Sequence, residues 1–564
     1  MAIDPLNPLI IQSDKTLLLD VHSARAEEAR AAILPFAELE KSPEHIHTYH
    51  ITPLSLWNAA SAGYTPANVA QVLNEYTRYS IPSGITESFA DTMSRYGKIR
   101  IVAAVEGKMD LLLLTAQDKA VLAEIGAAKS LEKYLGKTAS GFTLKLVDRG
   151  SVKRELIRLG WPVKDEAPFV NGEALELNLR ETSASSLPFI KRDYQLEAAK
   201  AVLGDGGPGT GYGIVVLPCG SGKTIVGMII MALLKTNTLI LTTNVAAVHQ
   251  WMEELLDKTN LKGEEIAEYT GSSKSVAPVT VATYQIITWR PDRDSEFPHF
   301  KLFRERPWGL IVYDEVHLLP APVFRVTAEL QAVRRLGLTA TLVREDGEED
   351  AVFSLVGPKR YDVPWKDLEN KGWIAGAFCT EVRIDMPENL KIPYAVATRR
   401  EKYRIASENP LKNEAVVQLI ENHRDDQILV IGQYISQLEN LARILKAPLI
   451  TGKAPNNERE RIYGAFKKGE VRVIVVSKVA NFAIDLPDAS MAIQVSGSFG
   501  SRQEEAQRLG RILRPKDRNS WFYTLVSRYT VEEEFAVNRQ QFLAEQGYKY
   551  SIQHWTADEM EAVV

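Results

Sequence analysis

Through the later two thirds of the chain, short apolar runs alternate with longer stretches of mixed polarity. Runs at 213–216, 238–242, 279–283, 310–313 and 336–339 have the length of buried strands, with helical patterning between them. A second series follows at 428–431, 448–450, 471–476, 491–495 and 522–526. Apolar strands alternating with helices signal a parallel sheet with crossover helices. The pattern therefore predicts two α/β lobes in tandem.

The first third reads differently. Strand-like text at 9–12 and 16–20 precedes a helical pattern over 26–40, and Thr65-Pro66 opens a helix with a cap and a first-turn proline. Two apolar strands flank Glu106-Gly107 as a predicted hairpin, followed by helices over 118–135 and 152–159. A Ser/Thr/Pro-rich stretch at 181–188 reads as a linker. The expected domains are 1–97 and 98–180, both small and α+β, then lobes at 189–368 and 369–564. No short repeat interrupts this order.

The run at 213–216 leads into Leu217-Pro218-Cys219-Gly220-Ser221-Gly222-Lys223-Thr224, and a helical run follows at 225–234. Strand, glycine turn, Lys-Thr and helix form a phosphate-binding loop. Glycines let backbone N–H groups face phosphate oxygens, and the helix N-terminus adds positive charge. Lys223 adds a full charge, and the Thr224 hydroxyl can sit on Mg²⁺. A strict loop carries an earlier glycine where this chain has Leu217 or Pro218. Gly204-Asp205-Gly206-Gly207-Pro208-Gly209 also fits a dinucleotide-binding pattern, but it precedes a strand, so it reads as a connection.

Asp314-Glu315-Val316-His317 ends the strand at 310–313. There an aspartate can hold Mg²⁺ and the next glutamate can orient and deprotonate an attacking water. In the second lobe, Arg511 and Arg514 are three apart and share a helix face able to reach a γ-phosphate; the bland alternative is a basic surface helix.

Composition narrows the rest. The 564 residues are 45% hydrophobic and 25% charged, ordinary for a globular chain with sizeable cores. The net charge of −5 argues against a wholly basic coat but leaves nucleic acid open, because backbone amides and hydroxyls also hold phosphates. Two cysteines, Cys219 and Cys379, exclude a disulfide framework and a Cys-rich zinc site, and suit a reducing cytosol. No secretory signal or membrane-spanning run is visible. His45, His47 and His50 cluster beside Glu44; on a strand only His45 and His47 share a face, so a structural or surface role is expected.

These motifs together resemble superfamily 2 helicases, and within them the XPB family, from Arg192 to about Tyr550. Arg192-Asp193-Tyr194-Gln195 looks like the adenine-reading Q-type motif, and the Pro218-Cys219 pair matches the XPB form of the phosphate loop. Thr242-Thr243-Asn244 and Thr283-Tyr284-Gln285 resemble strand-contact motifs, and Asp314 to His317 is the DEVH form of motif II. Thr339-Ala340-Thr341 resembles motif III, and Arg344-Glu345-Asp346 the RED element implicated in unwinding. Ser477-Lys478 with Asp485-Leu486-Pro487 looks like motif V, where Ala480 replaces an expected glycine. Gln507 to Arg514 looks like motif VI.

The resemblance implies two RecA-like lobes with ATP between them. Arg192, Gln195, Pro218 to Thr224 and Asp485 would touch the nucleotide. Lys223, Asp314, Glu315, Gln507, Arg511 and Arg514 would carry catalysis, with Mg²⁺ on Thr224 and Asp314. Thr242, Thr243, Thr283 and the RED residues would serve DNA. A thumb-like insertion near 385–409 would add Arg399 and Arg400, although a solvated charged helix reads equally well there. Block 98–180 would correspond to a damage-recognition domain, on pattern around Ser151-Val152-Lys153-Arg154 and Trp161-Pro162.

The implied activity is 3′→5′ unwinding of single-stranded, forked or damaged DNA in nucleotide excision repair, in the cytoplasm at the nucleoid, without membrane or structural zinc. A duplex translocase, or an ATPase switch recruiting a repair nuclease, are the alternatives. An RNA helicase fits the XPB details less well.

Overall fold

A computed structural model describes residues 4–41, 45–103, 111–186, 188–204, 206, 210–218, 220–292, 295, 297–319, 322–323, 327, 330, 333–340, 349–363, 365–373, 375–477, 489–497, 519–537, 550–556 and 560–562. The chain divides into two compact units that part near residue 362.

The first unit holds three sheets. The N-terminal sheet has the order β1-β2-β4-β3, built from β1 Leu9–Ile11, β2 Thr16–Asp20, β3 Glu38–Lys41 and β4 Ile46–His50. The helix expected over 26–40 stops early: it spans Ala26–Ile33, and the chain re-enters the sheet at β3. Pro35 accounts for this, since it has no N–H to give and its ring clashes with the preceding turn. The Thr65-Pro66 start forms as expected, with Thr65 and Asn68 capping one another at the head of Pro66–Tyr76.

The histidines do not gather. His45 pairs with His22 at 2.9 Å, while burial and then Arg30 push the His47 imidazole down to about 4. Among the described residues no group of three or more His, Cys, Asp or Glu could hold a metal ion, and no helix is long and apolar enough to cross a membrane.

The second sheet runs β7-β8-β6-β5-β9, from β5 Ile99–Ala103, β6 Leu111–Ala116, β7 Gly136–Thr138, β8 Gly141–Lys145 and β9 Val163–Asp165. β5 and β6 pair antiparallel as the hairpin reading requires; the turn at Glu106-Gly107 lies outside the described residues. The helix expected over 118–135 is shorter, Lys119–Ala127 with an Asp118 cap. Gly126 lies against Phe142, where a Cβ would sit 2.8 Å from the ring. Glycine weakens the helix at that point, and Leu131 beyond it is fully buried in the core of this sheet. The basic helix starts earlier than expected, spanning Arg149–Arg158.

The third sheet is wholly parallel, in the order β12-β13-β11-β14-β15-β10-β16. Its strands are β10 Gly213–Val216, β11 Thr238–Thr242, β12 Ile266–Tyr269, β13 Val279–Thr283, β14 Leu310–Asp314, β15 Arg334–Thr339 and β16 Lys359–Asp362. β10, β11 and β13 are buried at every position, as expected of strands covered on both faces. The edge strands β12 and β16, with their mixed polarity, were not signalled by the apolar pattern.

The second unit holds one sheet, ordered β19-β20-β18-β21-β22-β17-β23-β24. Its strands are β17 Ala377–Ile384, β18 Ile428–Gly432, β19 Leu449–Ile450, β20 Val473–Ser477, β21 Met491–Gln494, β22 Ser520–Ser527, β23 Tyr550–Trp555 and β24 Met560–Ala562. All neighbours are parallel except β23 and β24. The two tandem parallel-sheet lobes, preceded by smaller α+β sheets, are thus present. β17, β23 and β24 were not foreseen: their charged and polar residues obscure the apolar run. Within this unit, buried Lys412 pairs with buried Glu532 at 2.7 Å, and Ser407 donates to the same carboxylate at 3.0 Å.

Candidate nucleotide site

The loop after β10 begins while the chain is still held by the sheet, with the Leu217 amide donating to the Thr339 carbonyl at 2.9 Å. Gly220 and Gly222 then take φ of +77° and +84°, a region that disfavours other residues. At Gly222 there is also no room: a Cβ would lie 2.6 Å from the Gln195 side-chain nitrogen. Ser221 is buried and its hydroxyl donates to the Pro218 carbonyl at 2.6 Å, closing the turn. The helix Lys223–Leu234 starts immediately after, so its first amides point back into the loop. The Lys223 ammonium lies 3.4 Å from the Leu217 carbonyl and 3.7 Å from Glu315 Oε1.

On the far side of β15, β14 ends in Asp314. Its carboxylate accepts from Trp251 Nε1 at 3.0 Å and from the Glu315 amide at 3.1 Å. Burial, and then the neighbouring Glu315 charge, raise the Asp314 carboxyl to about 6. Glu315 sits at φ +51°, a left-handed conformation that is uncommon outside glycine. This turns its carboxylate toward Lys223. Buried His317 stands 3.5 Å from Glu315 and 2.6 Å from the Thr339 hydroxyl. Motifs I, II and III of the sequence thus meet at the carboxyl ends of β10, β14 and β15, where ligands bind in open α/β sheets.

Gln195, next to the loop at Gly222, is buried and accepts from the Arg192 amide at 3.0 Å. Arg192 itself reaches Tyr194 at 3.1 Å. Thr242 and Thr283 are paired across β11 and β13. Both are buried, and their hydroxyls serve the local chain: Thr242 donates to the Asn244 carbonyl, and Thr283 caps the short helix Tyr284–Ile287. Thr243 is half-buried, and its carbonyl accepts from Gln285. Arg399 and Arg400 are exposed at the start of the helix Arg399–Ser407, where Arg399 stands 3.5 Å from Glu534. Cys219, Thr341, Arg344, Glu345, Asp346, Lys478, Asp485, Gln507, Arg511 and Arg514 lie outside the described residues.

Two residues that sequence reasoning missed hold the aspartate in place. Trp251 bonds its carboxylate, and Tyr284 donates its buried hydroxyl to its backbone carbonyl at 3.0 Å. Both are aromatic residues with a polar tip inside apolar text. That is the available signal, because a buried indole N–H or phenol needs a partner.

Residues 368–563 match the family described as ERCC3/RAD25/XPB C-terminal helicase. Residues 189–344 match type III restriction enzyme, res subunit, and residues 9–140 match helicase conserved C-terminal domain. Over 549 residues the chain is 52% identical to DNA 3'-5' helicase XPB of Kineococcus radiotolerans, covering 97% of this chain and 96% of that relative. The chain belongs to the XPB family. It is 51% identical to the Mycobacterium tuberculosis DNA 3'-5' helicase XPB, with 97% of each covered. It is 33% identical to the general transcription and DNA repair factor IIH helicase/translocase subunit XPB of Encephalitozoon cuniculi, covering 97% of the chain and 82% of that relative. This XPB-family chain is accordingly an ATP-hydrolysing helicase of superfamily 2, and its phosphate loop and acid pair are the parts such an enzyme requires.

Proposed function

We propose that this XPB-family helicase unwinds DNA in the 3′→5′ direction and serves DNA repair at the nucleoid. The observation that carries this reading is the meeting of Lys223, Asp314 and Glu315 at the carboxyl end of one sheet, in a chain collinear with relatives named DNA 3'-5' helicase XPB.

The residues fit a magnesium nucleotide. Asp314 is a buried carboxyl crowded by a second one, so its charge is relieved by a cation, and the Thr224 hydroxyl lies at the head of the loop helix. Mg²⁺ takes few protein ligands and shares itself with substrate phosphates, which agrees with so sparse a donor set. When bound, it neutralises charge on the transferring phosphoryl group.

The chain's own groups do the rest. The loop amides and Lys223 hold the phosphates. Lys223, released from the Leu217 carbonyl, follows the developing negative charge. Glu315 orients the attacking water and accepts its proton at the carboxylate. His317 links Glu315 to the Thr339 hydroxyl at the end of β15. Gln195 and Arg192 read adenine, Asp485 touches the nucleotide, and Gln507, Arg511 and Arg514 stabilise the terminal phosphate. Thr242, Thr243, Thr283, Arg344, Glu345, Asp346, Arg399 and Arg400 contact DNA. For the buried Thr242 and Thr283, that contact runs through the backbone they cap. Residues 1–97 and 98–180 act as separate N-terminal domains, the second sensing damage, ahead of lobes at 189–368 and 369–564.

Translocation along duplex without strand separation is the second reading, supported by the relative named helicase/translocase. DNA-stimulated hydrolysis paired with strand displacement on 3′- and 5′-tailed duplexes decides. Release of the strand only from the 3′-tailed substrate is expected. Stimulation without release gives the translocase, and hydrolysis indifferent to DNA overturns both.

A further inference from the structure

Trp289 is 51% exposed, whereas Trp57, Trp161, Trp251, Trp308 and Trp555 are all buried. A lone exposed apolar side chain is commonplace, but position, bracing and charge set this one apart. Trp289 follows the helix Tyr284–Ile287, which rises from the carboxyl end of β13 under the Thr283 cap. From the same turn, Gln285 donates to the Thr243 carbonyl at the end of neighbouring β11. The indole therefore stands on the rim where two strands deliver their carboxyl ends.

The indole is also braced. Its ring lies 5.9 Å from that of His299 at 57°. His299 is buried and bonded to the Tyr269 hydroxyl at 2.9 Å. Two lysines lie on the segments that hold His299: Lys274 bridges to Tyr269, and Lys301 ends the turn Pro298–Lys301. Arg290, next in the chain, holds its guanidinium 5.0 Å from the Phe297 ring. Glu305, 3.5 Å from Lys301, offsets part of that charge.

An open, backed aromatic ring among cations is the construction that binds single-stranded nucleic acid: bases stack on the ring, and the cations draw in the phosphates. We propose that Trp289 is a stacking platform for a base of single-stranded DNA, flanked by Arg290, Lys274 and Lys301. This rests on the DNA reading above.

The test compares binding of the full chain to an oligothymidine strand and to a strand of equal length made of abasic residues. Stacking of one base predicts about a tenfold preference of the unaltered chain for the strand with bases. Trp289→Ala should erase that preference and Trp289→Phe should keep most of it. Retention in the alanine variant, or equal loss in both, overturns the platform. A second readout does not depend on the alanine variant folding. Oligothymidine should quench the indole emission of the unaltered chain and leave that of Trp289→Phe unquenched; equal quenching overturns the proposal. A chain that binds both strands alike, with hydrolysis stimulated by each, keeps the DNA reading and loses the platform. A chain that binds neither loses both.

Discussion

Two regions of the first unit hold clusters of charge, in opposite ways. At the nucleotide site, Asp314 and Glu315 crowd each other, with the Lys223 ammonium 3.7 Å from Glu315, and burial leaves the Asp314 carboxyl raised to about 6. At the seam between the second and third sheets, fully buried Asp165 of β9 is gripped on all sides. Arg149 bonds it through Nη2 at 2.7 Å and Nε at 2.9 Å, and Lys153 at 3.0 Å. Arg335 of β15 adds a third buried cation, its guanidinium 5.3 Å from the Tyr212 ring. Burial opposes the Asp165 charge, but Arg149 and then Lys153 overcome it and hold the carboxyl below its usual range. The first region carries surplus negative charge, which a cation would relieve. In the second the carboxylate itself is fully compensated by buried cations, although Arg149 Nη1 makes no hydrogen bond. A carboxyl raised by a crowding acid at a strand's carboxyl end marks a working site, whereas a carboxyl lowered by buried cations marks a joint.

The contrast breaks most sharply at Lys223. Lys223→Ala should lower ATP hydrolysis by about a thousandfold, the loss of ~4 kcal/mol of transition-state stabilisation. Its melting temperature should fall by no more than a few degrees, because the lost contacts with the Leu217 carbonyl and Glu315 are long. Turnover assays and calorimetry on the same preparation check both halves; normal turnover would remove Lys223 from the site.

Asp165→Ala should do the reverse. It strands Arg149, Lys153 and Arg335 in the interior and should cost about 3–5 kcal/mol, read as a lower urea midpoint. An unchanged midpoint would mean that the seam does not depend on the cluster.

Replacing the ion group as a whole sharpens the point. Arg149→Met, Lys153→Met, Arg335→Met and Asp165→Leu together should be neutral or stabilising by about 1–4 kcal/mol, because desolvation is no longer incurred. A loss as large as that of Asp165→Ala would show that the joint needs its charges.

The smallest effect is in pH. Burial lowers the Lys153 ammonium to about 8, with Asp165 partly restoring it, against an ordinary 10.5. The folded value lies below the unfolded one, so between about 8 and 10.5 the unfolded chain holds more protons and stability rises with pH. The contribution is complete above 10.5 and is lost as pH falls through 8. Relative to Lys153→Met, the unaltered chain should gain at most about 1.4 kcal/mol per pH unit across that window. Parallel denaturation curves at pH 8 and pH 10 measure the difference.

What the sequence by itself determined is local. Glycines at 220 and 222 before Lys223, an acid pair at the end of an apolar run, and strand-length runs between helical stretches all act over a few residues. Backbone sterics and hydrophobic periodicity make them legible. The early end of the helix at Ile33 was legible too, in Pro35, and the expectation passed over it. Edge strands such as β12 and β17 were not legible, since half-polar text fits several structures until a neighbouring strand selects one. Only the tertiary structure decided which side chains meet across the chain: Trp251 and Tyr284 on Asp314, His317 on Thr339, and Arg335 beside Asp165. Those pairings link residues tens to well over a hundred positions apart. No spacing rule reaches that far, because they form only once the packed sheets exclude water and each buried polar group must find a partner.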